Sequence, residues 1–401
     1  MNDAVKRMFR NLPKGYPVNR DALFQFANIP PSAALPESLR ATTASRTFNI
    51  VGDARNPGQF IRKSDLHETA YEFDPNLVLE RGLPGRNESI GASGRSDSRR
   101  DAGSAKPVLH EKRLASHIPD WVTVGFHPIP AFSRSPRTMT DRNGRRTQLA
   151  DDRIVQIYGN DDRININPNT YPECCVCKLI VETQDFEGGP WRFQHNATGF
   201  MVGRSVVMTA GHARPPRPYA GWRITVVPGS FDGSSVFGPN VFTYAHSYSS
   251  YGTDSGNDMM VLGLYDPLGD TTGYFGAISY DDDWEDMPVW ATCGYPFDRG
   301  EIRPTFQAGI SVEDDDDGDD ATLPDGNDVD STQIETYAEC ASGASGSPLY
   351  SWFEDGNLYA VGVMHGREVF DAGPFGKDSD TTFSGGDMLP ALIRWARAAW
   401  P

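Results

Sequence analysis

The sequence contains no apolar run of about eighteen residues, the length that a membrane-crossing helix needs, so no membrane-spanning segment is predicted. Its first residues include Lys6, Arg7 and Arg10 but lack the apolar stretch of a secretory signal. We therefore expect no membrane partner. With no export signal visible, the sequence leaves the localisation unassigned.

Cysteine is also scarce, with five in 401 residues, and the spacing does not suit a disulfide scaffold. Cys174, Cys175 and Cys177 crowd at the start of an apolar stretch, while Cys293 and Cys340 stand alone. A zinc site would need a second pair of Cys or His ligands at zinc spacing, which the sequence lacks. The prediction is small buried thiols with at most one disulfide, no metal and no cofactor.

The net charge of −17 is distributed unevenly along the chain. Residues 1–150 carry 23 Lys/Arg and 15 Asp/Glu, giving +8, and the remaining residues carry 14 and 39, giving −25. This asymmetry predicts a basic leader followed by an acidic domain. An acidic surface repels phosphate backbones and argues against a nucleic-acid partner, whereas it would allow the leader to dock intramolecularly.

The two segments also differ in their content and spacing of apolar residues. The leader offers little to bury beyond short pieces at 47–51 and 76–80, and residues 86–106 have the composition of a disordered linker. After residue 151, short β-prone runs alternate with Gly, Pro, Asp and Ser clusters, which predicts an all-β domain. Only the end has apolar residues at helical spacing, predicting a C-terminal helix at about 388–400.

Ser345 lies in the Gly-rich sequence Gly-Ala-Ser-Gly-Ser-Pro at 343–348. A serine nucleophile needs a histidine to take its proton, an acid to orient that histidine, and N–H groups to stabilise the oxyanion. Gly343 and Gly346 would allow a tight turn that exposes the hydroxyl. The N–H groups of Gly343 and Ser345 would then form the oxyanion hole.

Two other motifs complete this constellation. His212 ends the sequence Thr-Ala-Gly-His directly after an apolar run, and Asp258 precedes the apolar run 259–262. An acid at the mouth of a buried strand can accept the Nδ1 proton of a histidine. The order His212, Asp258, Ser345 predicts the three catalytic groups of a serine endopeptidase acting on proteins or peptides through an acyl-enzyme.

These motifs resemble those of the chymotrypsin-like (trypsin-like) serine peptidase superfamily. The sequence 161–163 with 167–172, Gly-Tyr-Pro at 294–296, Ser347 and the final helix are most similar to the glutamyl endopeptidases. The resemblance covers about residues 154–400. It implies two antiparallel β-barrels, at about 164–270 and 275–385, with the site between them, and a preference for acidic substrates.

One departure concerns activation. Trypsins carry an Asp before the nucleophile that pairs with a new N-terminus, whereas this chain has Ala344 there. In the glutamyl endopeptidases the mature N-terminus helps to form the site for the substrate carboxylate. The resemblance therefore implies zymogen-like processing between residues 153 and 156, with removal of the leader as a pro-segment.

The specificity pocket is less clear. Candidate pocket residues are Glu339 and Cys340 before the nucleophile and Met364, His365 and Gly366 on the strand after it. The glutamyl enzymes carry a His in Gly-apolar-His, but His365 lies one position later and would face the opposite way unless a bulge intervenes. A carboxylate at Glu339 would instead favour Lys or Arg.

Two further questions stay open. The chain could be an inactive protease-like binding module, or the leader could carry the biological role by recruiting a partner. The acidic run 313–320 fits an EF-hand poorly, because Pro324 takes the place of the bidentate Glu. A solvated hairpin loop, loose calcium binding and docking of the leader remain as interpretations of this run.

Overall fold

The computed structural model describes residues 17–18, 28–39, 49–52, 60–63, 113–126, 155–158, 161–186, 188–215, 219–252, 254–371 and 377–401. The predicted element at 76–80, the linker at 86–106 and the bond after Arg153 lie outside the described residues. Among the described residues, no helix is long and apolar enough to cross a membrane.

The structure is built mainly from short strands. They are β1 (Asn49–Gly52), β2 (Phe60–Lys63), β3 (Arg113–Leu114), β4 (Thr123–Val124), β5 (Val155–Gln156), β6 (Ile164–Asn165), β7 (Thr170–Tyr171), β8 (Val176–Gln184), β9 (Arg192–Met201), β10 (Val206–Thr209), β11 (Gly221–Pro228), β12 (Ser230–Phe231) and β13 (Ser234–Ser235). The second half contains β14 (Thr243–Ser250), β15 (Met260–Leu264), β16 (Gly276–Ile278), β17 (Trp290–Gly294), β18 (Thr305–Ile310), β19 (Val312–Asp317), β20 (Ala321–Thr322), β21 (Asp328–Val329), β22 (Thr332–Thr336), β23 (Cys340–Ala341), β24 (Pro348–Trp352), β25 (Leu358–Asp371) and β26 (Lys377–Gly385).

Helical segments are few and short. The α-helices are α1 (Leu268–Thr272) and α2 (Met388–Ala399). The 3-10 segments are Glu37–Leu39, Glu173–Cys175, Gly211–Ala213, Asp282–Trp284 and Phe297–Arg299. The all-β class and the C-terminal helix are confirmed.

The first half of the acidic domain, which follows residue 150, is a closed barrel with the strand order β10-β15-β14-β11-β8-β9. Burial alternates along much of β8, as expected for a strand with one face towards the barrel interior. Every residue of β15 is buried, because α2 packs against this strand from outside. Closure pairs every strand of the barrel on both sides and leaves no free edge.

The second half is a ten-stranded sheet in which β19-β22-β26-β25-β24-β17-β18-β6 follow one another, with β16 and β3 joined at the side. Unlike the first barrel, this strand path does not close among the described residues. A separate apolar cluster fills its interior, with Trp284, Trp290, Phe353 and Phe383 among the largest members. The turn at 343–347, which carries Ser345, lies between β23 and β24 of this half.

Helix α2 holds the end of the chain against both halves. Its buried side chains form one stripe at helical spacing, namely Met388, Leu389, Leu392, Ile393 and Ala396. Arg397 on the same helix donates hydrogen bonds to the carbonyls of Val202, Ala115 and Phe275. The helix thus contacts the first barrel, the second sheet and part of the basic leader.

Several parts of the basic leader, residues 1–150, pack on the acidic domain that follows it. Strand β3 pairs with β16, and β4 pairs with β7. Isolated bridges join Pro17 to Phe353 and Ile29 to Val124. Ile118, Val122 and Val124 belong to the core cluster around the first barrel, so the described contacts of residues 113–126 are backbone pairs, apolar packing and hydrogen bonds.

All five cysteines are buried and have free thiols. The prediction of small buried thiols is confirmed, and the single disulfide that the sequence left open is not formed.

Candidate functional site

The turn that carries His212 leaves the first barrel at the end of β10. Thr209 ends the strand, Ala210 is extended, and residues Gly211–Ala213 form a single 3-10 turn. A Cβ on Gly211 would overlap the carbonyl oxygen of Tyr251 and lie 2.8 Å from Oδ1 of Asp258. Glycine at 211 therefore allows the turn to approach Asp258, while the His212 side chain remains about half exposed.

Asp258 lies beneath His212 and is only 2% exposed. Its Oδ1 accepts the backbone N–H of His212 at 2.8 Å, and its Oδ2 lies 2.5 Å from Nδ1 of the same residue. The preceding turn is held by the N–H of Asn257, which donates to Asp254 at 2.9 Å. Asp258 thus orients the His212 ring and directs its Nε2 away from the carboxylate.

His365 contacts the same carboxylate from the second half of the domain. Its Nδ1 lies 2.7 Å from Oδ2 of Asp258, and its ring packs edge-on against His212 with the centroids 5.5 Å apart. Val363 packs in the cluster around the first barrel, whereas Met364 packs in the cluster of the second sheet. Alternation along β25 therefore points His365 towards Asp258.

The charges at this cluster follow from its hydrogen bonds. Burial alone would raise the pKa of Asp258, but the hydrogen bonds from His212 and His365 hold it well below its usual value. Burial lowers the pKa of His212, yet the hydrogen bond to Asp258 and that carboxylate's charge outweigh it, so the net shift is upward. Asp258 is accordingly an anion that stabilises the protonated form of His212.

Ser345 lies on a turn that is hydrogen-bonded to the first barrel. Its carbonyl accepts the N–H of Thr198 at 2.9 Å, and a Cβ on Gly346 would lie 3.0 Å from the N of Ala210, two residues before His212. Gly343 and Gly346 both have positive φ, at 93° and 90°. The predicted glycines are thus required by the turn, and its backbone lies beside the His212 segment.

Two threonines that the sequence analysis did not single out lie at this point, and one of them joins the halves. The Thr198 hydroxyl donates to the carbonyl of Gly343 at 2.7 Å and accepts the N–H of Tyr295. Within the first barrel, the Thr209 hydroxyl donates to the carbonyl of Thr198 at 2.6 Å. Both threonines were visible in the sequence, but the partners of Thr198 on the other half were not.

Two N–H groups of the turn are available to a ligand. Ala344 donates to Ala341, Gly346 to Met364, and Ser347 to Ala344. The N–H groups of Gly343 and Ser345 make no hydrogen bond to the residues that the structure describes. Paired free donors beside a serine are the geometry required of an oxyanion hole.

Glu339 belongs to a different cluster, in which residues 155–156 and 161–163 lie against the second half. Strand β5 pairs with β23, and Oε2 of Glu339 accepts the N–H of Asp162 at 2.9 Å. Arg163 approaches Glu339 at 3.8 Å but is bound more closely by Asp161 and Asp298. The carboxyl of Glu339, 3% exposed, therefore faces the chain's own groups.

The protonation of Glu339 follows from this setting. Burial, followed by the nearby charges of Asp162 and Asp161, raises the pKa of Glu339 to about 9. Asp161 shows the opposite behaviour, since its ion pairs with Arg163 and Arg299 outweigh burial and lower its pKa to about 2. At neutral pH, Glu339 is a neutral acid and provides little attraction for a substrate cation.

The remaining pocket candidates lie along β23 and β25. Cys340 is buried, and its Sγ accepts a hydrogen bond from Thr381 at 3.5 Å. Met364 is 1% exposed and points into the second core. The strand register shifts between Met364 and Gly366, and Gly366 has φ 155° with open space where a Cβ would point.

His212, Asp258 and His365 also form a possible set of metal ligands, with their ligand atoms within 4.8 Å of one another. Two imidazoles and a carboxylate are a donor set that zinc accepts. The N–O distances of 2.5 and 2.7 Å are those of hydrogen bonds, so a metal would have to separate these groups before it could bind.

Comparisons with known proteins give the proteins to which the chain is similar. Residues 176–373 match the family model described as Trypsin. A solved structure of a Glu endopeptidase in complex with MPD is 19% identical, with a TM-score of 0.42, over 60% of this chain and 99% of that chain. The Rv3671c protease from M. tuberculosis in its active form is 18% identical, with a TM-score of 0.33, over 55% of this chain and 80% of that chain. No curated protein matches the chain.

Proposed function

Since the chain belongs to the trypsin family through residues 176–373, we propose that it is a serine endopeptidase with Ser345 as nucleophile, His212 as general base and Asp258 as the acid that orients it. The observation that supports this most strongly is the bond between Nδ1 of His212 and Asp258, 2.5 Å long, beside the turn that carries Ser345. This geometry directs the free Nε2 of His212 away from Asp258.

The reaction follows from these groups. Nε2 of His212 takes the proton of the Ser345 hydroxyl as its oxygen attacks the carbonyl carbon of the peptide bond. The new oxyanion accepts hydrogen bonds from the N–H groups of Gly343 and Ser345. The imidazolium then gives its proton to the leaving amine, and the C–N bond breaks. Water, deprotonated by His212, then attacks the acyl carbon, the bond from that carbon to the Ser345 oxygen breaks, and protonated His212 gives the proton to this oxygen.

The pKa of His212 predicts the acid side of the pH profile. Only neutral His212 can accept the proton of Ser345, so activity increases as pH rises through the pKa of this residue. Because Asp258 raises that pKa above its usual value of 6.5, we expect the increase to be centred above pH 6.5.

His365 supports the same reaction through Asp258. Its hydrogen bond at 2.7 Å reaches the oxygen that also binds His212, so it helps to hold the carboxylate in position. We assign His365 as a positioning residue, since its Nδ1 is engaged by the chain's own acid. Its proposed role in binding the substrate carboxylate is correspondingly not favoured.

The alternatives are less well supported. An inactive binding module would not require a buried anion under His212 or two free N–H groups beside Ser345. A preference for Lys or Arg set by Glu339 requires an ionised, accessible carboxylate, whereas this one is buried with a pKa of about 9.

The proposal can be tested by comparing the native chain with Ser345→Ala and with the control Ser311→Ala, which changes a serine outside the site. We expect a fluorophosphonate probe to label the native chain and the control but not Ser345→Ala, and peptide hydrolysis to fall by roughly 10³-fold or more in that variant. Labelling or proteolysis that survives Ser345→Ala would rule out Ser345 as the nucleophile.

A further inference from the structure

Arg367 carries a cation beside the pocket candidates. Among the residues that the structure describes, its buried Nε has no hydrogen-bond partner and its guanidinium joins no ion pair. Arg163, by contrast, is bound by Asp161 and Asp298. A buried donor without an acceptor is costly, so the side chain of Arg367 is prepared for an acceptor that comes from outside.

The register shift at His365 determines where Arg367 points. Met364 pairs with Phe383, Gly366 with Thr382, and Arg367 with Thr381. Directly paired side chains share a face of the sheet, and faces alternate along each strand. Since Phe383 belongs to the second core, Thr381 and Arg367 lie on that same face. In a regular strand, Arg367 would instead have followed His365 towards the first barrel.

That face also carries the wall of the candidate pocket. The Thr381 hydroxyl, on the residue paired with Arg367, donates to Sγ of Cys340, and Cys340 precedes the nucleophile turn by a few residues. The charge of Arg367 acts on the Cys340 thiol, although burial has the larger effect and raises the pKa of that thiol. The guanidinium therefore lies on the side of the sheet where the pocket wall leads to Ser345.

Arg367 is also within reach of a residue bound at Ser345. The backbone of Met364 accepts the N–H of Gly346 and donates to the carbonyl of Ser347, each at 2.8 Å. Arg367 follows three residues later on an extended strand, which corresponds to roughly 10 Å. An arginine side chain and the side chain of the residue being cleaved can together span that distance.

The surrounding acids leave this cation available. Glu339 is neutral at neutral pH because burial and its acidic neighbours raise its pKa to about 9. Glu368 and Asp380 form the next cross-strand pair and so point to the opposite face, and Glu368 accepts a hydrogen bond from Gln333. The nearby negative charges are thus protonated, directed away or bound elsewhere.

We propose that Arg367 is a specificity-determining residue that binds the side-chain carboxylate of a Glu or Asp immediately before the cleaved bond. A guanidinium binds a carboxylate through two parallel hydrogen bonds, which a lysine cannot reproduce. This inference rests on the proposed function of Ser345 and names the residue that would set a preference for peptides with an acidic residue at the cleavage position.

The test uses peptides that differ only in having Glu, Gln, Leu or Lys before the cleaved bond. We expect the native chain to cleave the Glu peptide with the highest kcat/KM. In Arg367→Gln, the ratio of kcat/KM for Glu over Gln should fall by roughly 10- to 100-fold, with the Gln peptide little affected, and Arg367→Lys should be intermediate. Arg303→Gln, which removes an exposed arginine paired with Asp232, is the control and should keep the native ratio.

A second measurement separates this inference from the proposed function. Binding of the uncleaved Glu and Gln peptides is measured with Ser345→Ala, and with the same variant carrying Arg367→Gln. If Ser345→Ala binds the Glu peptide more tightly and this preference depends on Arg367, the inference is supported even if the native chain hydrolyses no peptide. Absence of hydrolysis by the native chain would count only against the proposed peptidase activity. Equal binding of both peptides, or a preference that persists in Arg367→Gln, would overturn the role of Arg367.

Discussion

Asp258 and Glu339 are both nearly fully buried, at 2% and 3% exposure, yet their protonation is opposite. Asp258 lies between His212 and His365 and receives hydrogen bonds from both rings and from a backbone N–H. Glu339 receives one backbone N–H and is surrounded by Asp161 and Asp162, with Arg163 largely occupied by other acids.

The difference shows that burial alone does not decide the charge of a carboxyl group. Both groups lose water, which raises the pKa of each. Donors then restore the anion at Asp258, whereas neighbouring acids add to the effect of burial at Glu339. One half of the domain therefore holds an anion beside His212, and the other holds a neutral acid that binds the backbone N–H of Asp162.

The largest effect on activity is expected when the negative charge of Asp258 is removed. Asp258→Asn keeps the size of the side chain but removes the charge that stabilises protonated His212. We expect kcat/KM to fall by roughly 10³- to 10⁴-fold. Asp270→Asn, which changes a partly exposed aspartate paired with Arg204 outside the site, is the control. Steady-state kinetics that distinguished these two variants by less than tenfold would contradict the role of Asp258.

An intermediate effect is expected when one of the two imidazoles is removed. His365→Ala deletes a donor to charged Asp258, and we expect kcat to fall by roughly tenfold with a smaller change in KM, for all substrates alike. His365→Asn retains a donor near the position of Nδ1 and should recover most of the loss. The proton resonance of Nδ1 of His212 should move in the alanine variant and return towards its native position in the asparagine variant.

A loss in His365→Ala confined to Glu peptides would instead assign substrate binding to His365. The same peptides therefore distinguish His365 from Arg367, which is expected to change the preference for Glu with little effect on neutral peptides.

The smallest effect is expected at Glu339 and concerns stability. Its pKa is about 9 in the folded chain, against a usual value of 4.5, so between these values the folded chain holds a proton that the unfolded chain releases. The stabilisation is complete below pH 4.5 and is lost as pH rises towards 9. When the free energy of unfolding is measured with urea at several pH values, it should depend less on pH in Glu339→Gln than in the native chain. The same pH dependence in both proteins would mean that Glu339 is already ionised.

The surroundings of Asp258 were largely predictable from sequence because the residues that determine them are close together in the chain. A histidine after an apolar run, an acid before another, and a serine between glycines each indicate a position at the end of a strand. The all-β fold and the final helix follow from spacing in the same way. Hydrogen bonds place Asp258 under His212, while the catalytic roles stay predictions until the variants are measured.

The surroundings of Glu339 were not predictable because the residues that meet there are distant in sequence. Glu339 meets Asp162 across a sequence separation of 177 positions, and nothing near Glu339 indicates that partner. The register shift after Met364 sends His365 and Arg367 to different faces, and periodicity cannot reveal a shift of one residue. The basic charge of the leader, residues 1–150, likewise does not indicate that its residues 113–126 supply strands β3 and β4.

Those two strands have a consequence for any proteolytic processing of this chain. Because β3 and β4 are hydrogen-bonded to β16 and β7, a cut between residues 126 and 155 would break a covalent link without breaking the pairing. The segment 113–126 would become a separate subunit, and its association would then depend on protein concentration by mass action. Dilution, which has no effect on an uncut chain, would then release the segment and expose an unpaired edge at β16.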